Sequence, residues 1–279
     1  MPGKLYVVGT PIGNLNDFSP RQRRTLEEVD FIAAEDTRVT VKLLNHFEIK
    51  KPLVSYYEHN LRERGEQIVA RIEAGENCAV VSDAGMPCIS DPGEDLVRLC
   101  AERGLETVVV PGASAAVSAL CVSGLVTSRF CFEGFLSTAK KSRREHLEQL
   151  REEPRTMIFY EAPHKLLNTL KDFLETFGDR RISLARELTK IHEEILRFPT
   201  LTEAVEYFTA TSPRGEFVLV LEGAAPREAG GAITLEEAVE KAARLVENGE
   251  RPAEAAKLAA KNTPYKKSEI YAGLIKSGE

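Results

Sequence analysis

The stretch from Val80 to Cys100, VVSDAGMPCISDPGEDLVRLC, limits what this chain can fold into more than any other. It begins on the end of a short apolar strand expected over 78–81. About a dozen small, turn-forming and acidic residues follow, among them Ser82, Asp83, Ala84, Gly85, Pro87, Ser90, Asp91, Pro92 and Gly93. A helix then carries Leu96, Val97, Leu99 and Cys100 on one face. Asp91 and Glu94, three residues apart with Pro92 between them, have the spacing of a capping box. A strand, a glycine-proline loop and a helix in that order put backbone NH groups at the carboxyl edge of a sheet. Small ligands bind there in open α/β folds.

The rest of the chain repeats that grammar. Strands are expected over 5–8, 31–34, 53–56, 78–81 and 107–110. Helices lie between them, one opened by a capping box at Ser19, Pro20 and Gln22, another capped by Asn60 and Glu63. Apolar strands alternating with helices predict a mostly parallel sheet covered on both faces. Near Gly124 the pattern restarts, with strands over 130–132, 156–160, 182–185, 194–198 and 217–221. A turn is expected at Gly134–Leu136, a charged helix over 140–150 and an amphipathic one over 164–177.

At 279 residues the chain exceeds one average domain. The expected organisation is an α/β domain over 1–118, a second over 119–224 and a small helical appendage over 232–279. A Pro/Gly/Ala linker at 224–231 precedes the appendage. Its three short helices suit a helix-turn-helix unit or a packing and dimerisation element equally well.

Several classes drop out. No run of eighteen apolar residues exists, so no membrane span is expected, and the N-terminus lacks the pattern of a signal peptide. Five cysteines without a CxxC pair suggest reduced thiols in a cytoplasmic protein. No G-x-G-x-x-G or phosphate loop follows a strand, which makes NAD and ATP poor ligands. No zinc-type cluster occurs, so no metal is expected. The net charge of −6 argues against non-specific coating of nucleic acid. Local basic stretches, Arg21–Arg24, Lys140–Arg144 and Lys266–Lys267, can still contact phosphates.

Four loops fall at the carboxyl ends of the first set of strands: 9–14, 35–38, 82–93 and 111–115. The second set contributes Glu161, His164, Lys165, Arg186, Glu187, Lys190 and Glu193 near strand ends, where polar groups can reach a cleft.

Taken together, VGTPIGNL (8–15), AAEDTR (33–38), VSDAGMPCISDPG (81–93), PGASA (111–115), FYEAPHK (159–165), ARELTKIHEE (185–194) and GEFVLVLEG (215–223) resemble the tetrapyrrole methylase family. Within it they are similar to the ribosomal RNA small subunit methyltransferase I branch. Met86 and Cys88 depart from that branch, which usually carries threonine and glycine there.

The resemblance implies a two-domain α/β enzyme with a cofactor cleft between domains, plus the helical appendage. It implies a homodimer that binds S-adenosylmethionine and methylates the ribose 2′-oxygen of a decoding-centre cytidine in 16S ribosomal RNA. Cofactor contacts carried over are Pro11, Asp83, Ala84, Gly85, Met86, Ser114, Ala115, Tyr160, Ala185, Arg186, Gly215 and Glu216. Glu35, Glu187 and Lys165 are the expected catalytic groups, with Asp36 a further candidate base, while Arg38, Lys165 and Arg186 read better as holders of phosphate or sugar. Arg38, Lys140, Lys141, Arg143 and Arg144 are the expected substrate contacts. The rival enzyme of the same fold is a tetrapyrrole C-methyltransferase. The rival of another class is a non-catalytic nucleic-acid-binding protein, which leaves the loops from Gly9 to Ala115 without a purpose.

Overall fold

A computed structural model of the chain describes residues 1–57, 61–225, 234–247, 250–261 and 263–276. The expected Asn60 cap and most of the 224–231 linker lie outside the described residues. Residues Met1–Gly223 form one compact unit and Ala224–Glu279 a second.

The first unit begins with β1 (Leu5–Val8), α1 (Pro20–Glu28), β2 (Phe31–Ala34), α2 (Thr37–His46), β3 (Leu53–Ser55) and α3 (Leu61–Glu73). It continues with β4 (Cys78–Val81), α4 (Glu94–Glu102), β5 (Thr107–Val110) and α5 (Ala115–Val122). The five strands make one sheet in the order β3-β2-β4-β1-β5, with every pair parallel. Side chains alternate between its two faces. Leu5, Phe31, Ala33, Cys78 and Val80 pack with Ile68, Val69 and Leu96 of α3 and α4. Val8, Ile32, Ala34, Ala79 and Val81 pack with Leu26 and Leu44 of α1 and α2. The continuous apolar runs therefore serve two cores at once.

The chain leaves β1 toward β2 and leaves β4 toward β5, in opposite directions across the sheet. The crevice between β1 and β4 is thus the switch point of the topology, where ligands bind in such sheets. The loops on either side of it are tied together. Thr10 NH donates to Gly85 O at 2.8 Å, and Gly85 NH returns a bond to Thr10 O at 3.1 Å. Beside them Gly9 lies against Gly112 so closely that a Cβ on Gly9 would stand 2.7 Å from Gly112 Cα. The expected capping box at Ser19 and Gln22 forms, and the buried Gln22 also donates from Nε2 to Gly9 O at 2.7 Å.

The second half is β6 (Phe130–Phe135), α6 (Lys140–Gln149), β7 (Thr156–Glu161), α7 (Pro163–Phe177), β8 (Ile182–Arg186), β9 (Glu194–Phe198), α8 (Leu201–Ala210) and β10 (Phe217–Leu221). Its sheet runs β6-β7-β10-β8-β9 and is mixed rather than mostly parallel. Only β6 and β7 pair parallel; the other three pairs are antiparallel. For β8 and β9 the reason is length. Residues 187–193 are too few for the crossover of a dozen or more residues that a parallel pair needs. Helices α7 and α8 cover one face. On the other, α5 packs Ala116, Ala119 and Leu120 against Ile158, Ala185, Val218 and Val220.

Two local expectations fail. Asp91 does not cap α4; Gly93 occupies the cap position at φ +136° with no side-chain bond. Asp91 is half-buried in a carboxylate-lined cavity instead. The expected turn at Gly134–Leu136 is strand through Phe135, with a bulge between Phe132 and Gly134 that Gly134 permits at φ +63°.

In the second unit α9 (Leu235–Glu247), α10 (Pro252–Ala260) and α11 (Lys267–Lys276) share a small core of Ala238, Ala242, Ala256, Ala259 and Ile270.

Gly9→Ala forces backbone apart from backbone, which costs about 1–3 kcal/mol. A domain of this size should then lose roughly 2–12 °C in Tm, measured by scanning calorimetry. An unchanged Tm would show that the two loops are not held at this spacing.

Candidate active site

The carboxyl edge of the first sheet faces the second sheet across a cavity of about 480 Å³, within the range of small-molecule sites. Asp83, Ala84, Gly85 and Met86 line it from the loop after β4, Ser114 and Ala115 from the start of α5, and Glu35 from the end of β2. Tyr160, Ala185 and Glu216 line it from the second sheet. Ten expected residues therefore converge on one cavity from distant parts of the chain. Pro11 and Gly215 sit one residue from the lining residues Ile12 and Glu216. Arg186 faces another groove, where its Nε donates to Arg214 O at 2.7 Å and its Nη1 to Glu194 Oε2 at 3.1 Å.

The loop after β4 reaches this place through special backbone. Gly85 stands at φ +88°, and Cys88 and Ser90 adopt left-handed values of +72° and +65°. For a residue with a side chain such a conformation costs roughly 1–2 kcal/mol. Glycine, usual in the branch at position 88, avoids that cost. The other departure, Met86, places its Sδ where the Gly112 NH donates to it at 3.2 Å.

Five carboxylates line this cavity: Glu35, Asp83, Asp91, Glu161 and Glu216. The Asp83 NH donates to Glu35 Oε2 at 3.3 Å, and the Asp36 NH to Asp83 Oδ1 at 3.1 Å. Burial raises the pKa of Glu35 and of Asp83 above the usual carboxylate range. Asp91 is pushed up to about 6, first by burial and then by the charge of Glu35, against an opposing hydrogen bond with Ser82. Ile12, Ile89, Phe135 and Leu188 add apolar surface. The Tyr160 ring packs edge-on to Phe132 and Phe135, and its hydroxyl accepts from the Ala116 NH at 3.2 Å.

The expected catalytic groups do not all gather here. Glu187 is bound through Oε1 by Lys190 Nζ and by the Glu216 NH, both at 2.9 Å. The lysine bond holds its carboxyl below the usual range. Gly215, at φ +83°, leaves it room: a Cβ there would stand 2.5 Å from Glu187 Cγ. Lys190 also donates to Glu216 Oε2 at 2.8 Å and itself lines the cavity. Lys165 lies on α7 and lines a separate basic groove of about 590 Å³ with Lys140, Arg143 and Arg144.

Among the expected substrate contacts, Lys141 does not line that groove and is highly exposed. Arg38 is also exposed and pairs with Asp36 at 2.6 Å, which holds the Asp36 carboxyl at about 2. Arg143 is committed to the protein. Its Nε donates to Asp172 Oδ2 at 2.6 Å and its Nη2 to Thr169 Oγ1 at 2.8 Å. The Thr169 hydroxyl donates in turn to the buried Glu161, which lines the cavity.

Reasoning from sequence missed Ile89, Ser90, Phe135, Ala162 and Leu188 in this cavity, and assigned Asp91 to a helix cap. Three of these belong to the 82–93 loop, whose density of turn residues was the available signal. Phe135 was hidden by the bulge. Among the described residues no group of three or more His, Cys, Asp or Glu side chains could hold a metal ion. No described helix is long and apolar enough to cross a membrane.

A two-sheet α/β chain with a cavity at the switch point of its parallel sheet fits the methyltransferase class that the motifs suggested. The sequence profile of the tetrapyrrole (corrin/porphyrin) methylases matches residues 4–204. Ribosomal RNA small subunit methyltransferase I of Synechocystis sp. is 54% identical over 228 residues, 81% of each chain. Its namesake from Bacillus subtilis is 45% identical over 275 residues, covering 96% of this chain and 93% of that one. The Thermotoga maritima namesake is 50% identical over 221 residues, 79% of this chain and 99% of its own. The methyltransferase CobJ shares the fold at a TM-score of 0.58 and 20% identity, covering 82% of this chain and 97% of that one. Diphthine synthase does so at 0.58 and 14%, covering 79% and 90%. The chain belongs to the tetrapyrrole methylase family, in its ribosomal RNA small subunit methyltransferase I branch, and is a methyltransferase.

Because Asp91 binds its proton more tightly when folded, its ionisation removes stability as pH rises from the unfolded value near 4 to about 6. Asp91→Asn should melt higher than the parent at pH 7.5, with the difference closing toward pH 4. A constant difference across that range would mean that the carboxyl titrates normally.

Proposed function

We propose that this chain transfers the methyl group of S-adenosylmethionine to the ribose 2′-oxygen of a decoding-centre cytidine in 16S ribosomal RNA, acting in the cytoplasm as a homodimer. The observation that carries the reading is the convergence on one cavity of ten residues from separate motifs. The names of the relatives support a small-subunit RNA as acceptor. A uroporphyrin-III C-methyltransferase of the same fold was solved with S-adenosylhomocysteine, at a TM-score of 0.56 and 17% identity. Exposed Val109 on the edge strand β5 and Val117 on α5 support a second copy as partner.

The residues present fit the cofactor. The loop at 83–86 offers backbone groups, Ile12, Ile89 and Leu188 offer an apolar surface for a base, and the carboxylates suit hydroxyls and positive charge. When bound, S-adenosylmethionine supplies a methyl group already activated by its sulfonium. The chain has to align donor and acceptor, an effect worth about 7–11 kcal/mol in favourable cases. It also has to remove the proton of a weakly acidic hydroxyl. Asp91 is the best-placed acceptor. It lines the cavity, and a pKa of about 6 leaves it ionised yet basic near neutral pH. Glu187 is held anionic by Lys190 and is a weaker base. The same carboxylates disfavour a polyanionic tetrapyrrole as acceptor.

Small ribosomal subunits from a strain lacking the enzyme would be incubated with methyl-labelled S-adenosylmethionine, and the RNA digested to nucleosides. Label on 2′-O-methylcytidine or a further-methylated form is expected. Label on a uroporphyrinogen-type acceptor instead would overturn the RNA assignment. Asp91→Asn should lower kcat by about 10²–10⁴-fold, with cofactor affinity retained and the acid limb of the pH profile abolished. Near-normal turnover would remove Asp91 as the base.

A further inference from the structure

We propose that the basic groove beside α6 is a track for the phosphodiester backbone of RNA next to the nucleotide being methylated. The inference rests on RNA being the acceptor.

The groove is lined by four cations, Lys140, Arg143, Arg144 and Lys165, against two carboxylates, Asp172 and Glu175. One of those carboxylates, Asp172, is already paired with Arg143. The surplus is therefore positive in a chain whose net charge is −6. Lys140 and Arg144, one helical turn apart, share a face of α6, and Lys165 approaches from the first turn of α7. The N-terminus of α6 opens into the same place. Its cap residue, Ala139, makes no side-chain bond to the first turn, so unpaired NH groups there add to the attraction for an anion.

Arg143 is the rigid element. Asp172 and Thr169 hold its Nε and Nη2, and its Nη1 has no protein partner among the described residues. A guanidinium fixed in this way presents its remaining donors without losing further side-chain entropy.

Position relative to the cavity selects the ligand. Two connections run from cavity to groove. Phe135 lines the cavity and Ser137 the groove; Pro163 lines the cavity and Lys165 the groove. Two residues of chain span at most about 7 Å. A polymer with one unit seated in the cavity thus passes its neighbouring linkages over the groove. Contacts of this kind set register and orientation and carry no sequence information.

The test uses the full chain and the triple variant Lys140→Gln/Arg144→Gln/Lys165→Gln. Binding to a fluorescent single-stranded RNA would be followed across a salt series, methyl transfer measured on small ribosomal subunits, and cofactor affinity measured by calorimetry. The variant should keep its cofactor affinity and its kcat at saturating RNA. Its KM for RNA should rise on the order of tenfold or more, and its salt slope should fall by about two, at roughly 0.7 for each phosphate of a single strand that is no longer neutralised. Lys140→Arg/Lys165→Arg, which keeps the charges, should hold both at the parent values. Unchanged slope and KM in the triple variant would overturn the proposal. So would a raised KM on assembled subunits with an unchanged slope on RNA, which would point to a ribosomal protein. If the unaltered chain transferred no methyl to RNA, the methylation reading would fall, while the slope would still judge the groove.

Discussion

Two backbone hydrogen bonds between Thr10 and Gly85 hold the site together. They join loops that leave the parallel sheet on either side of its switch point and depart in opposite directions. The Gly9–Gly112 contact brings a third loop into the same cluster, and buried Gln22 secures it by donating to Gly9 O. A capping residue of α1 thereby becomes part of the cavity's foundation.

The cavity divides its charges by how they are compensated. Glu187 and Glu216 are both bound by Lys190, which keeps that side ionic and structural. Glu35, Asp83 and Asp91 have no lysine or arginine partner in an ion pair among the described residues. Their burial and mutual repulsion raise their pKa values. Divergent environments for nearby carboxylates are how a fold separates structural from proton-transferring roles. That separation depends on three dimensions. In sequence, Glu187 at the end of a strand looks as able a base as Asp91 in a loop.

Elements whose signals are local were legible in advance. The apolar runs of the first sheet and the Ser19–Gln22 capping box appear as expected. What escaped was set by competition or by geometry beyond a few residues. Asp91 had the spacing of a cap, but Gly93 at φ +136° starts the helix without it. Gly134 looked like a turn because a bulge uses the same residue for the same left-handed freedom. The antiparallel pairing of β8 with β9 was written in the seven-residue gap between them, a signal of chain length rather than composition. Lys165 ends a motif whose Tyr160 to Pro163 line the cavity, yet helical rotation carries it into the neighbouring groove.

Arg143, Asp172, Thr169 and Glu161 form a single hydrogen-bonded chain from groove to cavity, and this limits how the sequence can drift. Removing the Thr169 hydroxyl alone would strand an oxygen of a carboxylate that is 5% exposed, and an unsatisfied buried group is costlier than a bond replaced on both sides. Replacing Arg143 alone would leave Thr169 without its donor. These positions are therefore expected to change in concert or not at all, and their substitution energies should be strongly non-additive. A record of paired changes at 143, 161 and 169 among descendants of one ancestor would be the evolutionary trace of that chain.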